Sequence, residues 1–264
     1  GYALVSVDVR GTGASTGSKS RALPGKNEVR DGAEIVDWII EQPWSNDTVG
    51  ATGISYIGNT ALYLLINQHP NVHAIAPMYS MFDIYDDAAM PGGIFFREFI
   101  KEWNGFCKQL DNNKLPKDKQ NLITNIFVKG VSPVNSAPDK IFQNAMVCHE
   151  KNCYMDSEAR SPVCMDDKTT KNGEIPTSTI WSPHMFIDSI NESGAAIYSY
   201  SGWWDAAFPH SAVRQFLNFT NPENRLILGP WNHGGGNNIS PFNPDASDFN
   251  HVGEVIKFFD PHLK

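Results

Sequence analysis

Three side chains in this sequence have the types and the chain order from which a nucleophilic acyl-transfer site can be built. Ser55 lies in "TGISYIGNTAL", Asp205 in "SGWWDAAFP" and His233 in "LILGPWNHG". A serine hydroxyl is a weak nucleophile until an imidazole takes its proton during attack. The imidazole in turn needs a carboxylate that fixes its tautomer and stabilises the imidazolium. The chemistry requires no metal and no cofactor.

Each residue also has a plainer reading. Ser55 could be a helix N-cap in a glycine-rich loop. Asp205 could cap the helix that starts near Pro209, and His233 is one of 8 histidines and sits beside glycines. The turn around Ser55 also departs from G-x-S-x-G: Gly53 and Ser55 fit, but position 57 is Ile and the second glycine is Gly58. Ile57 is compatible with a tight turn if its side chain points away from the strand. The conjunction favours the chemical reading, because each of the three residues follows a predicted strand.

Those strands come from the pattern of apolar runs. Residues 2–9, "YALVSVDV", read as a short buried strand stopped by "RGTGASTGS". Residues 27–41 read as a helix, with Val29, Ala33, Val36, Ile39 and Ile40 at helical spacing and Pro43 just beyond. A strand in "TVGATGIS", a helix in "YIGNTALYLLINQ" and a strand in "VHAIAPMYS" follow. After about residue 82 the alternation stops, and "GGIFFREFIKEWNGF" and "KDKQNLITNIFVKG" read as helices. It resumes with strand "AAIYSYSG", helix "PHSAVRQFLNF", strand "RLILGPW" and helix "DFNHVGEVIKFFDPHL". The pattern predicts an α/β fold, a mostly parallel sheet with helices on both faces, over residues 1–82 and 193–264. A mostly helical cap is expected over 83–192, with a Cys-containing loop at 148–164. Ligands of such sheets bind beyond the carboxyl ends of the strands, where Ser55, Asp205 and His233 fall.

Composition narrows the partners. With 41% hydrophobic and 19% charged residues the 264-residue chain can fill a sizeable core. A formal charge of -8 argues against nucleic acid or an anionic membrane as partner. No run approaches the roughly 18 apolar residues of a membrane span. Cys107, Cys148, Cys153 and Cys164 match no common zinc spacing. A loop disulfide, free thiols and an untypical metal site all stay open. So does the compartment, with an exported location favoured over the cytoplasm. The sequons at Asn46, Asn191, Asn218 and Asn238 matter only in a secretory eukaryotic pathway.

The flanking residues resemble one family. "GYALVSVDVRGTGASTGS", "DGAEIVDWIIEQPWSNDTVGATGISYIGNTAL", "SGWWDAAFP", "LILGPWNHG" and "FFDPHLK" are similar to the cocaine-esterase and Xaa-Pro dipeptidyl-peptidase group of α/β-hydrolases. These segments span the expected core in order, whereas the cap matches only loosely. The group's elbow is G-x-S-Y-x-G, which Gly53 to Gly58 spell. The resemblance implies Ser55 as nucleophile, Asp205 as orienting acid, His233 as general base and the Tyr56 backbone N–H as an oxyanion donor. A second oxyanion donor, a tyrosine hydroxyl, and a strand flanking "VGATGI" would lie upstream of residue 1. A β-sandwich domain would follow "FFDPHLK". The expectation is therefore a fragment lacking its N-terminal strands, poorly stable and weakly active on its own.

The implied substrate is a small ester or amide, or a short peptide. Amino-acid ester hydrolases of the group hold a substrate ammonium with carboxylates two and three residues past the acid, where this chain has Ala207 and Phe208. Asp86 and Asp87 make a poor substitute, and a solvated cap helix accounts for them. Glu98 and Glu102 could anchor a peptide amine, but an exposed charged helix face accounts for them equally. Trp203, Trp204, Phe208 and Trp231 could form an apolar acyl pocket or pack the core. A catalytically inactive binding module, a fragment inactive for want of the upstream tyrosine, and a metal or redox role for the Cys loop are the other readings. Self-association of the full-length protein stays open.

Overall fold

Two of the apolar runs are buried along nearly their whole length, which is the signature of central strands in a parallel sheet covered on both faces. A computed structural model describes residues 1–114, 130–133, 139–155, 164, 167, 181–236 and 249–264. The helix expected over "KDKQNLITNIFVKG" lies, but for its last residue, outside the described residues.

The described chain divides into two compact units, residues 29–92 with 178–264, and residues 1–28 with 93–177. In the first unit four strands, β1 (Val49–Ile54), β2 (Val72–Met78), β3 (Ala196–Gly202) and β4 (Arg225–Gly229), pair in the order β1-β2-β3-β4, every pair parallel. Parallel neighbours need crossovers. The elements in them include α2 (Tyr56–Ile66) between β1 and β2, and α6 (Pro209–Asn218) between β3 and β4. The connection from β2 to β3 carries the inserted helical segment, including α3 (Arg97–Asp111), α4 (Asp139–His149) and α5 (Ile187–Glu192). Helix α1 (Lys26–Ile40) precedes the sheet and α7 (His251–Leu263) follows it. This is an α/β-hydrolase fold.

Alternate residues of the strands feed two cores. On one face Val49, Ile75 and Ile197 pack with Leu62 and Leu65 of α2, Val36 of α1 and Ile190 of α5. On the other, Tyr198 meets Phe258 of α7 at 5.1 Å between ring centres, and Gly50 lies under Leu263 and Phe259 of the same helix. Burying each such large apolar side chain contributes about 1.5–3 kcal/mol. Helix α7 starts on Asn250, whose side chain accepts the Gly253 N–H at 2.8 Å.

Residues 2–9 overturn one expectation. They form no strand and are mostly exposed, with Leu4 at 92%. An apolar run becomes a strand only where neighbours satisfy its backbone groups, and no ladder of the described sheet includes this one.

In the second unit the "RGTGASTGS" loop is held by polar contacts. Asn152 accepts the Lys19 N–H at 2.7 Å and donates to the Gly11 carbonyl at 2.8 Å, and His149 Nε2 bonds the Ser15 carbonyl at 2.9 Å. Buried Asp111, on α3, receives Lys19, Asn152 and Tyr154 on one carboxylate oxygen. Phe96, Phe99, Trp103 and Phe106 stack in succession along α3 at helical spacing. Glu98 is exposed and pairs with Arg97 and Lys101, and Glu102 is exposed. Cys107, Cys148, Cys153 and Cys164 form no disulfide.

Candidate active site

Ser55 is the single residue between β1 and α2. Its φ of 63° and ψ of -122° lie where a non-glycine side chain is strained. Holding such a residue costs on the order of 1–3 kcal/mol, and surrounding bonds hold it here. The Ser55 N–H donates to Met78 O at 2.9 Å, and its carbonyl accepts the Asn59 N–H at 3.0 Å. Its hydroxyl makes no cap bond to α2, so the capping explanation for this serine fails.

Glycines make the turn possible. A Cβ on Gly58 would lie 2.7 Å from Met78 O and 2.9 Å from Gly53 O, so only glycine lets α2 approach the strand ends this closely. Ile57 does not point away from the strand. Its Cγ2 would be 2.2 Å from a Cβ at Gly53, so the missing Gly53 side chain provides its room, and the rest of Ile57 is exposed to solvent. Asn59, fully buried, then clamps the chain beyond β2: it accepts the Met81 N–H at 3.0 Å and donates to Met81 O at 3.1 Å. Asn59 is missing from the sequence expectations; its signal was a carboxamide side chain within a mostly apolar helix.

Asp205 and His233 sit beyond the ends of β3 and β4, which pair directly through Gly202 and Gly229. Trp203 N–H donates to Gly229 O at 2.8 Å and Trp204 N–H to Trp231 O at 3.0 Å, tying the two loops together. His233 Nδ1 then meets Asp205 Oδ2 at 2.9 Å. The carboxylate is 4% exposed and the imidazole 43%, so the acid is shielded while the ring stays open to solvent. Tyr79 stands edge-on to the imidazole at 5.6 Å and Phe208 is tilted against it at 5.3 Å. Gly234 neighbours Ile54, the residue before Ser55, at 3.8 Å from a built Cβ. Ser55 Oγ has no hydrogen bond to His233 among the described residues; such bonds commonly tighten only on the path to the transition state. Tyr79 is buried, its hydroxyl has no hydrogen-bond partner among the described residues, and burial followed by the Asp205 charge pushes its pKa far up.

The remaining sequence-selected residues separate clearly. Tyr56 opens α2, so its N–H belongs to the positive end of that helix. Trp203 and Trp204 are 60% and 54% exposed beside Asp205. Trp231 is buried, stacked on Tyr200 at 5.5 Å and seated where Gly202 and Gly229 lack side chains. Phe208 is buried against His233. Asp87 is no solvated residue: it is buried, accepts the Phe82 and Asp83 N–H groups at 2.8 Å each, and is paired with Arg214. Arg214 also takes Asp86 at 3.1 Å, which leaves neither carboxylate unpaired for an ammonium. Among the described residues no His, Cys, Asp and Glu cluster could hold a metal, and no helix is long and apolar enough to cross a membrane.

A strained serine after one strand and a hydrogen-bonded carboxylate–imidazole pair after two others stand at the strand ends of this α/β-hydrolase fold. The chain belongs to the X-Pro dipeptidyl-peptidase (S15) family, whose model matches residues 1–235. It is 41% identical over 282 residues to a protein of Mycobacterium bovis described as a serine esterase, covering 100% of this chain and 45% of the relative. The cocaine esterase of a Rhodococcus species is 23% identical over 278 residues, again covering 100% of this chain and 45% of the relative. The chain thus spans about half the length of the curated relatives it matches. A CocE/NonD family hydrolase from Staphylococcus aureus shares the fold, with a TM-score of 0.62 at 18% identity, over 97% of this chain and 36% of that one.

Proposed function

We propose that the protein containing this chain hydrolyses carboxylic esters through an acyl-enzyme on Ser55. The observation that carries the reading is the His233 Nδ1–Asp205 Oδ2 hydrogen bond, in the same fold unit as Ser55, which is held at positive φ at the end of β1. The likeness to a described serine esterase and to a cocaine esterase supports an ester over an amide.

His233 Nε2 takes the proton of Ser55 Oγ as the oxygen attacks the ester carbonyl. Asp205 holds the Nδ1–H and stabilises the imidazolium. The negative charge that develops on the carbonyl oxygen is met by the Tyr56 N–H at the start of α2. The tetrahedral intermediate collapses, the C–O bond to the leaving alcohol breaks, and His233 returns its proton to that alcohol. Water then repeats the sequence, releasing the acid and restoring Ser55. The exposed faces of Trp203 and Trp204 offer apolar contact to an acyl or aryl group.

A fluorophosphonate probe tests this in the full-length protein. Labelling that Ser55→Ala abolishes supports the reading. A folded protein that neither labels nor turns over aryl esters would establish the inactive binding module instead. A panel of aryl esters and Xaa-Pro anilides then sets ester against peptide turnover; preference for the anilides would overturn the ester assignment.

A further inference from the structure

The loop that carries His233 contains two glycines at positive φ, Gly234 at 82° and Gly235 at 74°. Such a loop has little conformational stiffness of its own, yet a general base must keep its direction. Asp205 fixes the imidazole from one side. The backbone of the same loop is held from elsewhere, by the first residue of α7.

His251 lies against Gly235 so closely that a Cβ there would be 2.6 Å from its Nε2. The Gly235 N–H is already donated to Asn232 O at 3.0 Å, which leaves the Gly235 carbonyl as the group that a proton on His251 Nε2 can meet. On the other side of the ring Nδ1 meets the hydroxyl of Tyr200 at 2.5 Å, a bond the tyrosine donates when the ring proton is on Nε2. Trp231 crosses the His251 ring edge-on at 4.6 Å, and Phe249 does so at 5.0 Å, which sets its plane. Tyr200 is fully buried in β3, the strand that also leads to Asp205.

We infer that His251 is a positioning residue: the directed chain Tyr200 Oη–H to His251 Nδ1, and His251 Nε2–H to Gly235 O, holds the His233 loop in register with Asp205. Strand β3 therefore fixes the base at two points, through the side chain at Asp205 and through the backbone at Gly235. The inference rests on the acyl-enzyme reading.

The test is steady-state ester hydrolysis by the full-length protein, with thermal unfolding of each variant. His251→Ala lowers kcat roughly ten- to hundredfold, the scale expected for a small misplacement of a catalytic group, with KM little changed. His251→Gln, whose amide can still donate to Gly235 O, recovers activity to within about threefold of wild type. Tyr200→Phe removes the donor to Nδ1 and lowers kcat with KM again little changed. Wild-type kcat in His251→Ala overturns the inference. So does equal impairment of the Ala and Gln variants, because a purely structural role ignores which atom donates. Retained turnover in Ser55→Ala or His233→Ala would sink the acyl-enzyme reading itself, and is seen separately from the His251 series.

Discussion

Gly53 and Ile57 compete for one volume: a Cβ on the glycine would lie 2.2 Å from Ile57 Cγ2 and 2.6 Å from Ile57 Cβ. The turn that presents Ser55 depends on this vacancy. Gly53→Ala is expected to destabilise the protein by about 1–3 kcal/mol, as overpacking does. Adding Ile57→Gly to that variant recovers part of the loss, less about 1 kcal/mol for a helical glycine. Gly58→Ala finds no such rescue, because it meets the backbone carbonyls of Met78 and Gly53. Thermal or urea unfolding of the double-mutant cycle measures the coupling; additivity would show that the two side chains do not share the space.

Asp205→Asn keeps the shape of the side chain but removes the charge facing His233. The amide favours the wrong imidazole tautomer and leaves the imidazolium unstabilised. A loss of about 10³–10⁴-fold in kcat is expected, with an unfolding midpoint close to wild type. Ester kinetics beside a thermal melt check both halves; a kcat within tenfold of wild type would remove Asp205 from the mechanism.

Arg214 neutralises buried Asp87 while stacking on Phe82 at 5.7 Å. Burial raises the Asp87 pKa above its ordinary 3.8, with the Ser211 and Arg214 contacts opposing it. Arg214→Ala should cost about 1–3 kcal/mol at neutral pH, less than a fully buried pair because Arg214 is 31% exposed. The difference from wild type shrinks as pH falls through the raised Asp87 pKa, since a neutral carboxyl needs no cation. Denaturation at pH 7 and pH 4 decides it: a constant difference means that packing alone was lost.

His251 gives a second pH signature. Burial lowers its pKa below the ordinary 6.5, with the Gly235 bond opposing. The unfolded chain therefore takes up a proton at this site before the folded chain does. Wild type loses stability as pH falls below about 6.5, down to the lowered folded value, beneath which the loss is complete. His251→Gln does not titrate and should show a shallower decline over that window. Parallel curves from chemical denaturation would contradict this assignment.

Much of the candidate site was legible in sequence because its turn and strand ends follow local rules. G-x-S-Y-x-G marks a strand-to-helix turn, and parallel strands deliver their following loops to one end of the sheet. The order Ser55, Asp205, His233 and the helix and strand positions of the α/β unit followed from periodicity and flanking residues. Asn59 and His251 were not legible. Each works through a partner distant in sequence, Met81 in one case and Tyr200 and Gly235 in the other, and no local pattern encodes a hydrogen bond across such separations. The aromatics near Asp205 could not be sorted by type alone: Trp203 and Trp204 face solvent while Trp231 fills the space above two glycines. Asp87 misled for the same reason, since its burial depends on Arg214 arriving from α6.

By itself the sequence determined which residues can do chemistry and which strand each of them follows, because side-chain type and hydrophobic period are local properties. Tertiary structure decided that residues 2–9 form no strand and that Ile57 leans over Gly53. It also decided which aromatics are core, and that an imidazole from α7 packs on Gly235 of the His233 loop. Strand pairing, close packing and buried hydrogen bonds are satisfied between segments far apart in the chain, so only the folded arrangement selects among the partners each segment could have.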